Sequence, residues 1–241
     1  MSWIFNEIFY RPILNALVFI YEYAAFNDFG IALILLTVLV RIILAPIFHR
    51  GARDQATINK LVPKIKEIQS KHKNKKEQQA KALIELYREH KVSPFSGLVL
   101  LIVQLPVLFA LYYVVLNGFS EAHIPMLYSF VPNPGVINYL FLGVIDLQAQ
   151  NVPLVILASA ASYLQMKLAM SKHPLPLQGE QQNPMLSAMR KTVFIIPIMT
   201  AVFIVGLPSA IALYLLTSFV FSAIQQVIIN KQINNDGTIK K

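Results

Sequence analysis

The sequence predicts an all-α polytopic membrane protein, and three observations carry that prediction. Of the 241 residues, 56% are hydrophobic and 14% are charged, against roughly 45–50% and about 25% in water-soluble domains. Five apolar runs are long enough to cross a hydrocarbon core of about 30 Å at about 1.5 Å per residue. Cysteine is absent, so a disulfide-built fold is excluded and an anchor through a lipidated cysteine is not expected.

Taken in order, residues 1–28 are apolar but carry Glu7, Arg11, Asn15 and Glu22 at helical spacing, with Ile4, Phe5, Ile8, Leu14, Leu17 and Val18 on the opposite face. That pattern predicts an amphipathic helix in the outer interface. A signal peptide is the competing reading, and a basic leading segment and a small-residue cleavage site are both missing from it. Residues 29–49 form the first span. Residues 50–95 alternate Ile58, Leu61, Val62, Ile65 and Ile68 with a lysine-rich break at Lys71–Lys76, then resume at Leu83, Ile84, Leu86 and Tyr87. Two helices in a basic cytoplasmic hairpin fit this period. The hairpin reads either as a connector drawn to anionic headgroups or as an arm that docks a ribosome or another partner.

The second span covers 96–117. An extracytoplasmic loop, 118–151, has no lysine or arginine and holds Pro125, Pro132 and Pro134, with an apolar piece around Tyr139 to Val144. The third span is 152–170 and a cytoplasmic loop fills 171–186. Residues 187–229 hold the fourth and fifth spans as a hairpin turning at Gly206-Leu207-Pro208-Ser209. A basic tail, 230–241, closes the chain.

The formal charge of +9 is an orientation signal. Nineteen of the 21 lysines and arginines fall on the side of the 50–95 hairpin, Arg11 alone falls on the other side, and Arg41 lies within the first span. By the positive-inside rule the basic side is cytoplasmic, which places the N-terminus outside and the C-terminus inside. Nucleic-acid binding is not needed to explain the basic excess.

The spans hold no Asp or Glu, and His49, His72, His90, His123 and His173 sit at span ends or in loops without metal-ligand spacing. No Gly-rich phosphate loop is present. The chain is therefore expected to have no catalytic residues, no cofactor and no metal, and not to be an enzyme. Arg41 is the exception to this blandness. A cation within a span costs about 2.5–3.5 kcal/mol on insertion scales. It can snorkel to the headgroups, or it can line a water-filled cavity open to the cytoplasm. With no acid in any span, the second case leaves its counter-charge to water, lipid phosphate or a visiting molecule. Thr37 lies one turn away, and Gln104, Gln165, Thr217, Ser218, Ser222 and Gln225 supply polar groups from other spans.

These residues resemble a known family, the YidC-type membrane protein insertases with their Oxa and Alb relatives. The likeness covers about residues 29–232. It rests on Arg41 and the basic hairpin after it, then on Tyr87-Arg88-Glu89-His90-Lys91-Val92-Ser93-Pro94-Phe95 leading into Gln104-Leu105-Pro106. It continues with Phe141-Leu142-Gly143 and Asp146-Leu147, the turn at Pro208, Leu213-Tyr214 and Ile224-Gln225-Gln226. The resemblance implies five spans around a hydrophilic groove that opens to the cytoplasm and sideways to lipid. It implies Arg41, Thr37, Gln104, Tyr214 and Ser218 as the substrate groove. Nascent membrane proteins are the implied clients, membrane lipid the surroundings, and the ribosome and Sec translocon candidate partners, in a bacterial plasma membrane. The chain departs from the family at Leu215 and Phe219, where relatives commonly carry an aromatic and an asparagine. Two other functions fit the residues: a small-anion transporter or channel using Arg41, and an assembly scaffold.

Overall fold

The computed structural model of the protein describes residues 3–73, 75–117, 119, 121–170 and 184–238. Most of the expected loop 171–186 and the last three residues of the tail lie outside the described residues. The chain opens with α1 (Trp3–Phe5), a π-helical turn (Asn6–Tyr10) and α2 (Arg11–Tyr23). Then come α3 (Phe29–Ile43), α4 (Ala45–Lys71), α5 (Lys76–Glu89) and α6 (Ser96–Asn117). A 3-10 turn (Glu121–Met126) leads to β1 (Leu140–Phe141) and β2 (Ile145–Asp146), a small antiparallel pair inside an otherwise helical chain. The last helices are α7 (Val152–Met170), α8 (Pro184–Ile204) and α9 (Ser209–Thr238).

Among the described residues, three helices are long and apolar enough to cross a membrane, within α6, α7 and α9. α3 and α4 qualify together as a pair bent by 68°, and Thr192–Ile204 of α8 is a shorter apolar stretch. The bend departs from the expected single span 29–49. Pro46 explains it: proline has no N–H to give the Ile42 carbonyl four residues back, and its ring crowds that carbonyl. The helix stops at Ile43 and restarts at Ala45 in a new direction.

α9 packs chiefly against α7 and α3. Ala158 and Ser162 of α7 and Ala210, Ala212 and Ser218 of α9 are all buried, and such small side chains let backbones approach where lipid offers no hydrophobic drive. Leu14, Leu17, Phe29, Leu33, Leu111, Ile204 and Ile211 fill one continuous core. α4 and α5 share a separate small cluster of Leu61, Ile65 and Leu86, as the sequence period implies.

In the N-terminal arm, part of the polar stripe is bonded into the protein. Asn15 is buried: its Nδ2 donates to the carbonyls of Arg11 (2.8 Å) and Met126 (2.9 Å), and its Oδ1 accepts from the Tyr128 N–H (2.6 Å). Arg11 Nε also donates to Met126 O at 3.0 Å, and the Arg11 guanidinium pairs with Glu7 at 3.1 Å. Leu14, Leu17 and Val18 meet the core, so α2 is integral to the bundle. The large side chains it turns outward are aromatic, Phe19 and Tyr23, and Trp3 of α1 is exposed as well.

Asp28 organises the loop end. Its Oδ1 accepts from the Ile31 N–H at 3.0 Å, capping α3, while Oδ2 accepts from the Leu142 N–H at 2.6 Å. A Cβ at Gly30 would overlap the Phe141 ring, so the β1–β2 turn closes onto α3 only because glycine is there. On the far side of the turn, Ser209 Oγ donates to Asp146 O at 2.8 Å, and the Ser209 and Ala210 N–H groups donate to Ala149 and Leu147 carbonyls. The first N–H groups of α9, which no helix satisfies internally, are thereby paired with the loop.

Candidate functional site

Arg41 stands in the last turn of α3, immediately before the bend. Leu39, Ile42 and Ile43 are exposed on the outer face of that helix, whereas Arg41 is 7% exposed and Thr37 2%. Both therefore turn inward. The helix break accounts for part of the cation's tolerance, because the final carbonyls of a helix carry partial negative charge and favour a cation. Phe48, from the first turns of α4, supplies more: its ring centre is 4.5 Å from the guanidinium carbon, within cation–π range. Among the described residues no acid forms an ion pair with Arg41 and no hydrogen-bond acceptor is paired with it.

Thr37 Oγ1 donates to the carbonyl of Leu33 at 2.6 Å, so its hydroxyl hydrogen is spent within its own helix. Tyr214 of α9 is buried and is the electrostatic neighbour of Arg41. Gln104 of α6 donates from Nε2 to the Tyr214 hydroxyl. Ser218, one turn further along α9, faces the same phenol and is fully buried. The five residues expected from sequence thus come from α3, α6 and α9, with Tyr214 beside Arg41 and hydrogen-bonded to Gln104, while the buried Ser218 hydroxyl has no hydrogen-bond partner among the described residues.

Gln225, one of the polar groups expected from the spans, and Asn230 and Asn59, which carry no expectation from sequence, complete the hairpin end. Gln225 Nε2 donates to the Ala45 carbonyl at 3.2 Å, fastening α9 to the bend. Asn230 donates to Leu168 O at 2.9 Å and Asn59 to Ala169 O at 3.3 Å, capping the final turn of α7. A cavity of about 370 Å³ opens between these elements, lined by the polar side chains of Gln55, Asn59, Gln165, Thr192 and Gln226. A second, of about 600 Å³, lies beside it around Arg50, Asp54, Ser93 and Ser96. Asp54 is buried and accepts from the Ser96 hydroxyl and from the Ser93 N–H (3.4 Å), at the N-terminus of α6. In the sequence Asp54 is an acid one turn after Arg50, but its partners lie about forty residues away.

Among the described residues no cluster of three or more His, Asp or Glu is placed to hold a metal ion. The chemistry on offer is recognition: one inward cation, phenol, hydroxyl and amide groups, and no acid to neutralise the cation.

Residues 19–236 match the family model described as 60Kd inner membrane protein. The chain is 31% identical over 225 residues to the "Membrane protein insertase YidC" of Geobacter metallireducens, covering 92% of this chain and 37% of that one. It is 29% identical over 226 residues to the protein of the same name in Geobacter sulfurreducens, covering 93% and 37%. Against that of Fusobacterium nucleatum it is 33% identical over 206 residues, covering 86% and 88%. The chain therefore spans little more than a third of the two Geobacter proteins and nearly all of the Fusobacterium one.

Proposed function

Because the chain belongs to the YidC/Oxa/Alb family, we propose that it is a membrane protein insertase and chaperone. In this reading Arg41, Thr37, Gln104, Tyr214 and Ser218 line a hydrophilic groove within five spans. The groove takes a hydrophilic segment of a nascent membrane protein, and the client's hydrophobic helix leaves sideways into lipid. The observation that carries the proposal is the burial of Arg41 with no acidic partner among the described residues. A desolvated cation without a counter-ion favours a guest that brings negative charge or hydrogen-bond acceptors.

Free energy for the transfer comes from burying the client's apolar helix in lipid, at about 25 cal/mol per Å². The membrane potential adds to it where the client's translocated segment is charged. The mechanism asks no covalent step of the protein. The uneven distribution of lysine and arginine supports an outside N-terminus and a cytoplasmic C-terminus in a bacterial plasma membrane. The exposed lysines of α4 and α5 suit contact with a ribosome, anionic headgroups or the Sec translocon.

The test is insertion of a client with an acidic translocated tail in a depletion strain carrying Arg41→Ala. The expected result is normal accumulation of the variant with insertion lost. Full insertion by the variant overturns the groove role. Anion flux through the purified protein in liposomes, with client insertion unaffected by the same substitution, would favour the transporter reading.

A further inference from the structure

We propose that the β1–β2 turn, with Phe26, Phe130 and Val136 at the same end of the bundle, is a lipid-contacting surface seated at the headgroup–acyl boundary. Residues 122–145 contain no Asp, Glu, Lys or Arg. A connection bathed in water is ordinarily rich in such groups. Instead this end presents apolar side chains: Phe26 is 90% exposed, Leu142 65%, Val144 81% and Val136 95%.

The turn is held so as to present them. Leu142 and Gly143 both have positive φ, 51° and 70°, and the Val144 N–H donates to the Phe141 carbonyl at 3.1 Å. Asparagine, aspartate or glycine is favoured at the first of these positions, and a leucine there is strained. The Asp28 carboxylate holds the Leu142 N–H at 2.6 Å and keeps that conformation in place. A strained leucine directed away from the core gains nothing in water.

Lipid is the occupant because the surface is continuous with the lipid-facing sides of the spans. The turn is bonded to the first residues of α3 through Asp28 and of α9 through Ser209. α7 begins six residues after β2, capped by Asn151, and its outward Val152, Ile156 and Leu157 extend the apolar surface from this level. A protein partner would be expected to find hydrogen-bonding or charged groups around an apolar centre, and the stretch offers no charge. This inference is independent of the insertase role.

The absence of cysteine makes the test direct. Leu142→Cys, Val144→Cys and Val136→Cys are each labelled with an environment-sensitive fluorophore and compared with Gln148→Cys, a polar exposed site. Each is reconstituted in vesicles of phosphatidylethanolamine and phosphatidylglycerol containing a lipid with a nitroxide near its headgroup. The expected result is blue-shifted emission and strong nitroxide quenching at 142, 144 and 136, with weak quenching by aqueous iodide. Iodide quenching equal to that at 148 overturns the proposal, including the case where a protein partner covers the surface in the cell. Val136 is almost fully exposed, so its variant reports even if a change at Leu142 disturbs the turn.

Discussion

At the loop end, Asn15, Asp28, Tyr21 and Ser209 reach across the fold to backbone groups, and partner separations exceed one hundred residues for the first three. At the hairpin end, α4 and α5 share only a small cluster of their own, α3 is bent away by 68°, and two cavities, each with a few polar side chains in a mainly apolar lining, separate the helices. One end is sealed by hydrogen bonds between loop and helix starts. The other keeps its polar groups around space. For a protein proposed to receive a hydrophilic segment from one side only, the contrast is physically coherent: entry needs a solvated, loosely filled mouth, and retention of the membrane barrier needs a closed opposite end.

That contrast can be broken or sharpened by substitution. The largest effect is expected in function at the open end, where Arg41→Ala should reduce insertion of an acidic-tailed client by about tenfold or more, about 1.4 kcal/mol of lost client stabilisation. Arg41→Lys should retain part of it, and insertion assays in a depletion strain read both. The largest stability effect is expected at the sealed end. Asn15→Leu removes three hydrogen bonds and leaves the Tyr128 N–H without its partner, while Met126 O keeps Arg11; at about 0.5–1.5 kcal/mol per bond the loss is about 1.5–4.5 kcal/mol, measured by thermal unfolding in detergent.

Asp54→Ala should cost less, about 1–3 kcal/mol, because it removes the bonds from Ser93 and Ser96 at the start of α6. Its signature is faster amide exchange in the first turn of α6 while the loop end is unchanged. Alkaline pH probes the sealed end more gently. Burial raises the pKa of Tyr139 and of Tyr10, so the folded state favours the neutral phenols. Their contribution is fully present below the ordinary tyrosine value of about 10 and is lost as pH rises through the raised values. Thermal midpoints should hold to about pH 10 and fall above it. Tyr139→Phe should lessen that fall. The smallest effect is expected from Glu77→Ala, which breaks an exposed i,i+4 pair with Lys81 and should leave the midpoint unchanged.

Several features were legible beforehand for identifiable reasons. The apolar runs of α6, α7 and α9 and the lysine-rich break between α4 and α5 are local patterns, and they reappear as helices and helix ends. Arg41 was conspicuous because it interrupts an apolar run. The bend was missed although Pro46 announces it, since the surrounding apolarity reads as one continuous span. The partners of Asn15, Met126 and Tyr128, are remote in sequence, so the helical period that predicts an interfacial helix could not show them. Phe48 over Arg41 was missed because only the bend brings a residue of α4 back onto the end of α3.

The sequence by itself determined which segments are apolar helices, how unevenly the basic residues are distributed along the chain, and that one cation would lie among apolar neighbours. These depend on hydropathy, helical period and net charge, all readable within a window of about 20 residues. Only the tertiary structure decided which polar group answers which: Asp28 to Leu142, Asn15 to Met126, Gln104 to Tyr214, Gln225 to Ala45. A buried polar group must find a partner wherever the fold brings one, and the separation of those pairs along the chain, 110 residues or more in each case, places them beyond any local pattern.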